Sequence, residues 1–240
     1  MEIIDAVWEK RNLGVVAKEI NLAANDTLSD LEQLRGLDCE YAVARVPAGA
    51  IELMFQLEDM GYRYIETMFA VRHDLKNIGA TLDRITKRFA DSISYRRMAD
   101  ADLAELKRQL KLGVFHTDRV YVDPHFTKEQ SAQRYMGWIA DALENGYEPY
   151  KCMFKGKAVG FFVSRLKKDG NHGLFIGVYK EFEAAGFGTS VLAAQLRHAA
   201  EAGAKTLCGA VSSNNMSSLR MNLYLGGQIT SARYVYVKHG

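Results

Sequence analysis

The order of apolar and polar positions divides the chain into alternating strand and helix patterns. Residues 41–46 form a short apolar run that reads as a strand, and Pro47-Ala48-Gly49 follows as a turn. Ile51, Leu53, Met54, Leu57 and Met60 then recur at helical spacing, Gly61 stops that helix, and residues 62–71 return to a strand pattern. Residues 72–91 are more charged, with Lys76-Asn77 and Gly79 as breakers, and predict a linker. Beyond it, 93–98 predicts a strand, Asp100 a helix cap, and Leu103, Leu106 and Leu110 one helical face. A polar and aromatic stretch over 113–126 leads to Thr127-Lys128-Glu129-Gln130, whose spacing is that of a capping box. Tyr135, Met136, Ile139 and Leu143 mark the helix it opens, and Asn145-Gly146 ends it.

The last third begins with a hairpin, 150–154 and 157–166 around Lys155-Gly156. A turn at 168–171 leads into 173–178, where Leu174, Ile176 and Val178 alternate. Val191, Leu192, Leu196 and Ala199 then define a helix closed by Gly203. A buried strand over 205–211, a helix over 216–225 and a final strand or hairpin over 228–238 complete the pattern. Helices set among antiparallel and crossover-linked strands predict an α/β fold, with a mixed, mostly antiparallel sheet flanked by helices. The early and late strand-helix-strand units overlay at one offset: Gly61 and Gly226, like Val46 and Val211, are 165 positions apart. Chance likeness of two similar units and internal duplication both account for this.

Composition narrows the class of function. The 240 residues are 48% hydrophobic and 25% charged, enough for a sizeable core. A net charge of +2 and only short basic pairs, Arg96-Arg97 and Lys167-Lys168, argue against a nucleic-acid partner. No apolar run approaches the ~18 residues a membrane span needs, and Met1–Asp5 lacks the basic and apolar parts of a secretion signal. Cys39, Cys152 and Cys208 are scattered without metal-ligand spacing. They read as free thiols, the expected location is cytoplasmic, and no metal is expected.

The sharpest chemical signal is Glu183-Ala184-Ala185-Gly186-Phe187-Gly188-Thr189-Ser190, directly after an apolar strand and at the start of a helix. Glycines admit a ligand close to the backbone, and the free N–H groups of a first helical turn suit a diphosphate. The third glycine of the dinucleotide fingerprint is missing, as is the Gly-Lys-Ser/Thr ending of a nucleoside-triphosphate loop.

In this context the chain resembles the GCN5-related N-acetyltransferase superfamily. That family's cofactor motif, Arg/Gln-x-x-Gly-x-Gly/Ala, is matched by Gly186 and Gly188. Its later Asn-x-x-Ala/Ser with Leu-Gly-Phe is matched by Asn215, Ser218, Leu225 and Gly226, with Gly227 in place of the aromatic residue. Tyr95-Arg96-Arg97 and Asp102-Leu103 look like its opening strand and first helix. The resemblance covers about residues 92–238 and predicts an acetyltransferase domain over 92–240, leaving 1–91 as a partial, half-domain unit with its linker. Within the family it is closest to the dTDP-fucosamine acetyltransferase-like branch, through Trp8-Glu9, Gly14, Val46-Pro47-Ala48, Met60-Gly61-Tyr62 and Asp123-Pro124-His125-Phe126.

The resemblance implies acetyl-CoA, or another short acyl-CoA, as co-substrate and a small-molecule amine as acceptor, an amino group on a nucleotide-linked sugar in that branch. Residues 183–190 with Asn215 would bind the cofactor, and Ile176, Gly177 and Val178 would hold its pantetheine arm and thioester. Tyr121, Asp123 and His125 are acceptor-site candidates, and a homodimer follows by analogy with relatives. Two departures bear on this. Glu183 stands where the family has Arg or Gln, and a carboxylate ~4 Å from a phosphate charge costs about 1 kcal/mol in water. Asn222 stands where many relatives carry an acidic Tyr, and Tyr224, the substitute candidate for general acid, lies about 200° further around an ideal helix. These departures keep open a non-catalytic coenzyme A sensor or interaction module. A transferase using aminoacyl-tRNA would need a basic surface that the charge pattern does not offer.

Overall fold

The computed structural model describes residues 1–85, 93–167 and 170–240. The first unit contains β1 (Glu2–Asp5), α1 (Val7–Leu13), β2 (Ala17–Asn21), α2 (Leu28–Leu31), β3 (Tyr41–Pro47), α3 (Ile51–Asp59), β4 (Arg63–Asp74) and α4 (Ile78–Ile85). The second contains β5 (Ile93–Arg97), α5 (Asp100–Lys111), α6 (Arg119–Val122), α7 (Lys128–Glu144), β6 (Glu148–Phe154), β7 (Lys157–Lys167) and β8 (Gly170–Val178). It closes with α8 (Gly188–Glu201), β9 (Thr206–Ser212), α9 (Met216–Tyr224) and β10 (Gln228–His239). All ten strands join one sheet in the order β1-β2-β3-β10-β4-β9-β8-β7-β6-β5. Among the described residues only β2·β3 and β8·β9 are parallel.

Strand alternation assigns the two faces. Phe161, Val163 and Phe175 pack against α5 and α7, while Phe162 and Ile176 turn to α8 on the other face. In the first unit Ala42, Ala44 and Val46 meet α2 and α3, and Tyr41 and Val43 face Phe126 and α1. The capping box at Thr127 forms as its spacing requires: Thr127 N–H donates to Gln130 Oε1 (2.9 Å) and Gln130 N–H to Thr127 Oγ1 (3.2 Å).

Several expectations shift. Residues 72–85 are not a linker but the end of β4 and helix α4, whose Ile78 and Leu82 pack against α8; residues 86–91 lie outside the described residues. The cap of α5 is Ala99 rather than Asp100, with Asp102 Oδ2 accepting the Ala99 N–H at 3.0 Å. The turn expected at 168–171 falls partly outside the described residues. The strand over 206–212 is only partly buried, because β8 leaves its side.

The 165-residue offset reappears as geometry. Met68 faces Arg233 in the β4·β10 pair, and these two positions differ by 165. The same pair carries two bulges, at Ile65 and Thr230, again 165 apart. β3 meets β10 at Pro47–Arg233 and β9 meets β4 at Ser212–Met68, the same register after the shift. Gly61 and Gly226 both take left-handed φ, 84° and 83°. The two units are thus related by a local twofold between β4 and β10, and each inserts its last strand between the other's two.

Candidate active site

β8 and β9 pair only at Asn171–Leu207 and His172–Cys208, then part. The backbone of β8 beyond that point keeps β7 as a partner on one side and, among the described residues, has no strand partner on the other. The parting opens a cleft of about 620 Å³ whose lining includes Val114–Thr117, Ile176–Val178, Gly186, Gly188, Thr189 and residues 214–218. That volume is within the range of small-molecule sites. A separate, smaller pocket of about 60 Å³ adjoins it at Ile176 and Ser218 and marks its narrow end, lined by Val71, His73, Phe175, Gln195, Cys208 and Asn222.

Two helices aim their N-termini at this cleft. Gly186 takes φ 77°, a conformation that side-chain-bearing residues adopt rarely, and turns the chain into α8. α8 has no side-chain cap, so the N–H groups of its first turn face the opening. α9 begins at the opposite wall, where Asn215 Oδ1 caps Ser218 N–H at 3.0 Å. Two positive dipole ends make the mouth a site for an anionic ligand, each contributing about 0.3–1 kcal/mol. Gly177 lets β8 pack closely on the core, since a Cβ there would lie 2.6 Å from the Phe161 ring.

Glu183 lines the mouth, but its charge is answered. Lys180 Nζ is 2.6 Å from one carboxylate oxygen and His116 Nδ1 is 3.7 Å from the other. Glu181, by contrast, is tied to Arg108 (2.7 Å) and Gln109, and the Arg108 bond holds its carboxyl below the usual range.

At the narrow end Asn222 is buried. Its Nδ2 donates to Ser218 O (2.9 Å), leaving Oδ1 to accept from His73 Nε2 at 3.0 Å. His73 comes from β4, in the first unit, and packs against Gly227, where a Cβ would lie 2.9 Å from the imidazole. That contact explains why an aromatic residue is absent at Gly227. Burial lowers the His73 pKa, opposed by its bond to Asn222, and burial also lowers that of His198. Unfolded imidazoles titrate near about 6.5, so the unfolded chain takes up protons first as pH falls. The stability due to these neutral histidines is full above about pH 6.5 and lost progressively below it. Urea midpoints are expected to drop on acidification, and His73→Gln to make the drop shallower; an unchanged profile would remove His73 as a cause.

Of the residues singled out from sequence, Ile176, Gly177, Val178, Glu183, Gly186, Gly188, Thr189 and Asn215 line one cleft. Ala184 and Ala185 are exposed on the 3-10 turn before Gly186, and Phe187 turns its ring into the core against Phe154 and Phe182. The Ser190 side chain is buried. Tyr224 is 59% exposed and outside the cleft lining, away from Asn222. Tyr121 stands near His116, whereas Asp123 is buried against His125 and His239, also outside the lining. Sequence reading missed His73, because 149 positions separate it from Asn222 and nothing local marks it.

The sequence matches no family model and no curated protein. Solved structures do resemble it. A conserved protein of unknown function from Staphylococcus epidermidis superposes with a TM-score of 0.64 at 12% identity, covering 93% of this chain and 84% of that one. A GCN5-related N-acetyltransferase from Kribbella flavida gives 0.58 at 12% identity, covering 94% and 82%. A tandem protein of the same superfamily from the clavulanic acid biosynthesis pathway gives 0.54 at 13%, covering 88% and 68%. No helix among the described residues is long and apolar enough to cross a membrane. At these identities the likeness is one of architecture, and the mixed, mostly antiparallel sheet flanked by helices is the fold of the GCN5-related N-acetyltransferases.

Proposed function

We propose that the protein transfers an acetyl or short acyl group from its coenzyme A thioester to the amine of a small molecule. The observation that carries this reading is the parting of β8 from β9 beneath the uncapped start of α8. Bound acyl-coenzyme A supplies an activated carbonyl, with its thiolate as leaving group. The first-turn N–H groups of α8 hold the diphosphate, and the unpaired edge of β8 hydrogen-bonds the pantetheine amides as an added strand would. A β8 N–H near Gly177 or Val178 stabilises the developing oxyanion. The amine attacks uncharged, so the N–C bond forms as the C–S bond breaks. A base accepts the ammonium proton and an acid meets the thiolate. His73 donates its proton to Asn222, and Asn222 donates to Ser218 O, so neither is assigned as the acid; Tyr224, exposed and outside the lining, is assigned no part either.

Acceptance of an amino sugar rests on the resemblance of residues 123–126 and the first unit to one branch of the superfamily. Three free cysteines suit a reducing compartment such as the cytoplasm.

Coenzyme A is expected to raise Tm, and Gly188→Asp to abolish that rise. The variant should fold, because a carboxylate at a helix start is itself stabilising and the nearest atom to a new Cβ is the flexible Met221 Sδ at 3.1 Å. It should nonetheless repel the diphosphate. Acetyl-coenzyme A presented with a panel of amines and amino sugars should release free thiol. Stabilisation by coenzyme A without thiol release from any amine would favour a binding module instead.

A further inference from the structure

We propose that Asp123, His125 and His239 form a binding site for a divalent transition metal, with zinc as the fitting ion. The site is independent of the acyl-transfer cleft. Asp123 follows α6, and its side chain is 2% exposed. Its Oδ1 lies 3.1 Å from His125 Nδ1 and its Oδ2 lies 2.8 Å from His239 Nε2. The three donor atoms fall within 4.8 Å of one another. The His125 backbone N–H also reaches Oδ1, at 3.0 Å, which orients the carboxylate. Tyr41 and Phe126 wall the His239 ring, at centroid distances of 5.0 and 5.5 Å. The His125 side chain is 60% exposed and leaves one side open to solvent.

Two imidazoles and a carboxylate are a ligand set that zinc shares with iron(II), and cobalt and nickel substitute in it. Bonds of about 2.0–2.2 Å in a tetrahedron put ligand atoms about 3.3–3.6 Å apart, wider than the observed N···O separations of 3.1 and 2.8 Å, so the ion replaces these two hydrogen bonds as the ligands move slightly apart. The two rings are stacked at 14°, so both lone pairs converge on one ion only after His125 swings outward, which its exposure permits. Coordination uses the lone pairs of His125 Nδ1 and His239 Nε2, with each ring's proton on its other nitrogen. Water takes the remaining position, and affinity falls as acid protonates the rings. The ion would tie the end of β10 to the segment between α6 and α7.

The test uses tag-free, chelator-treated full-length protein titrated with zinc chloride by calorimetry. One zinc per chain is expected, with a rise in Tm that chelator reverses. Cobalt(II) should give the visible absorption of a four-coordinate site. His125→Ala and His239→Ala should each weaken binding by at least about tenfold and abolish the cobalt spectrum. His125 is exposed, so its metal-free variant should keep the wild-type Tm, separating loss of binding from loss of fold. No saturable isotherm in the wild-type protein would overturn the site and leave a carboxylate hydrogen-bonded between two imidazoles. Equal stoichiometry and affinity in both variants would move the metal elsewhere, for example to the half-buried Cys39 or Cys208, and overturn it equally.

Discussion

Residues 92–240 expressed alone are expected to be insoluble or to lack cooperative unfolding, although they contain every motif of the candidate site. The cause is the strand exchange around the local twofold. β4 lies between β10 and β9, pairing with both along most of its length. Without it β9 and β10 lose their shared neighbour, and Val71 and the buried His73 leave the narrow end of the cleft. Each net backbone hydrogen bond is worth about 0.5–1.5 kcal/mol, and total stability of such a domain is about 5–15 kcal/mol. Loss of both ladders exceeds that margin even before the exposed apolar surface is counted. Supplying residues 1–85 as a separate chain should restore a soluble complex with cooperative unfolding. A soluble, cooperatively melting 92–240 fragment would show that β4 is dispensable.

Arg134→Met should lower stability by about 3–5 kcal/mol, the cost of leaving a buried charge without its partner. Arg134 is wholly buried, donates from Nε to Glu9 at 2.7 Å and lies 3.6 Å from the Trp138 ring centroid. Glu9, 1% exposed, would keep only Arg119, 3.7 Å away and already held by Glu19 at 3.1 Å. That residual partner places the loss nearer the lower bound. In a chain of this size about 3 kcal/mol corresponds to a Tm drop of roughly 6–12 °C. Adding Glu9→Gln should recover part of it, since an amide is cheaper to bury than a lone carboxylate. Chemical denaturation of the two variants decides this; a single variant within 1 kcal/mol of wild type, taken as roughly the error of such a comparison, would mean water or Arg119 replaces the lost charge.

The cleft's mouth was legible from sequence because its signals are local. Gly186 and Gly188 at a strand-to-helix junction state a backbone conformation and an open helix start, and the structure puts both on the lining. The Thr127 box was legible for the same reason, being a contact across three residues. Elements of the first 40 residues were not. β2 alternates weakly, as Ala-Lys-Glu-Ile-Asn, and α1 exposes Val7, so their hydrophobic periods are faint and their state is set by what they pack against. The Glu183 departure also needed coordinates, because the carboxylate pairs with Lys180 and lies beside His116 of a distant loop.

The sequence by itself determined the class of fold, the order of most elements, the glycine turn that opens α8 and the 165-residue echo between two units. Those properties follow from interactions between residues close along the chain, or from composition. Tertiary structure alone decided that the units interlock through β4 and β10, that His73 joins Asn222, and that His239 meets Asp123 and His125. Each of these pairs strands or side chains more than a hundred positions apart, and no local preference specifies a partner at that distance. Only the register of the shared sheet does.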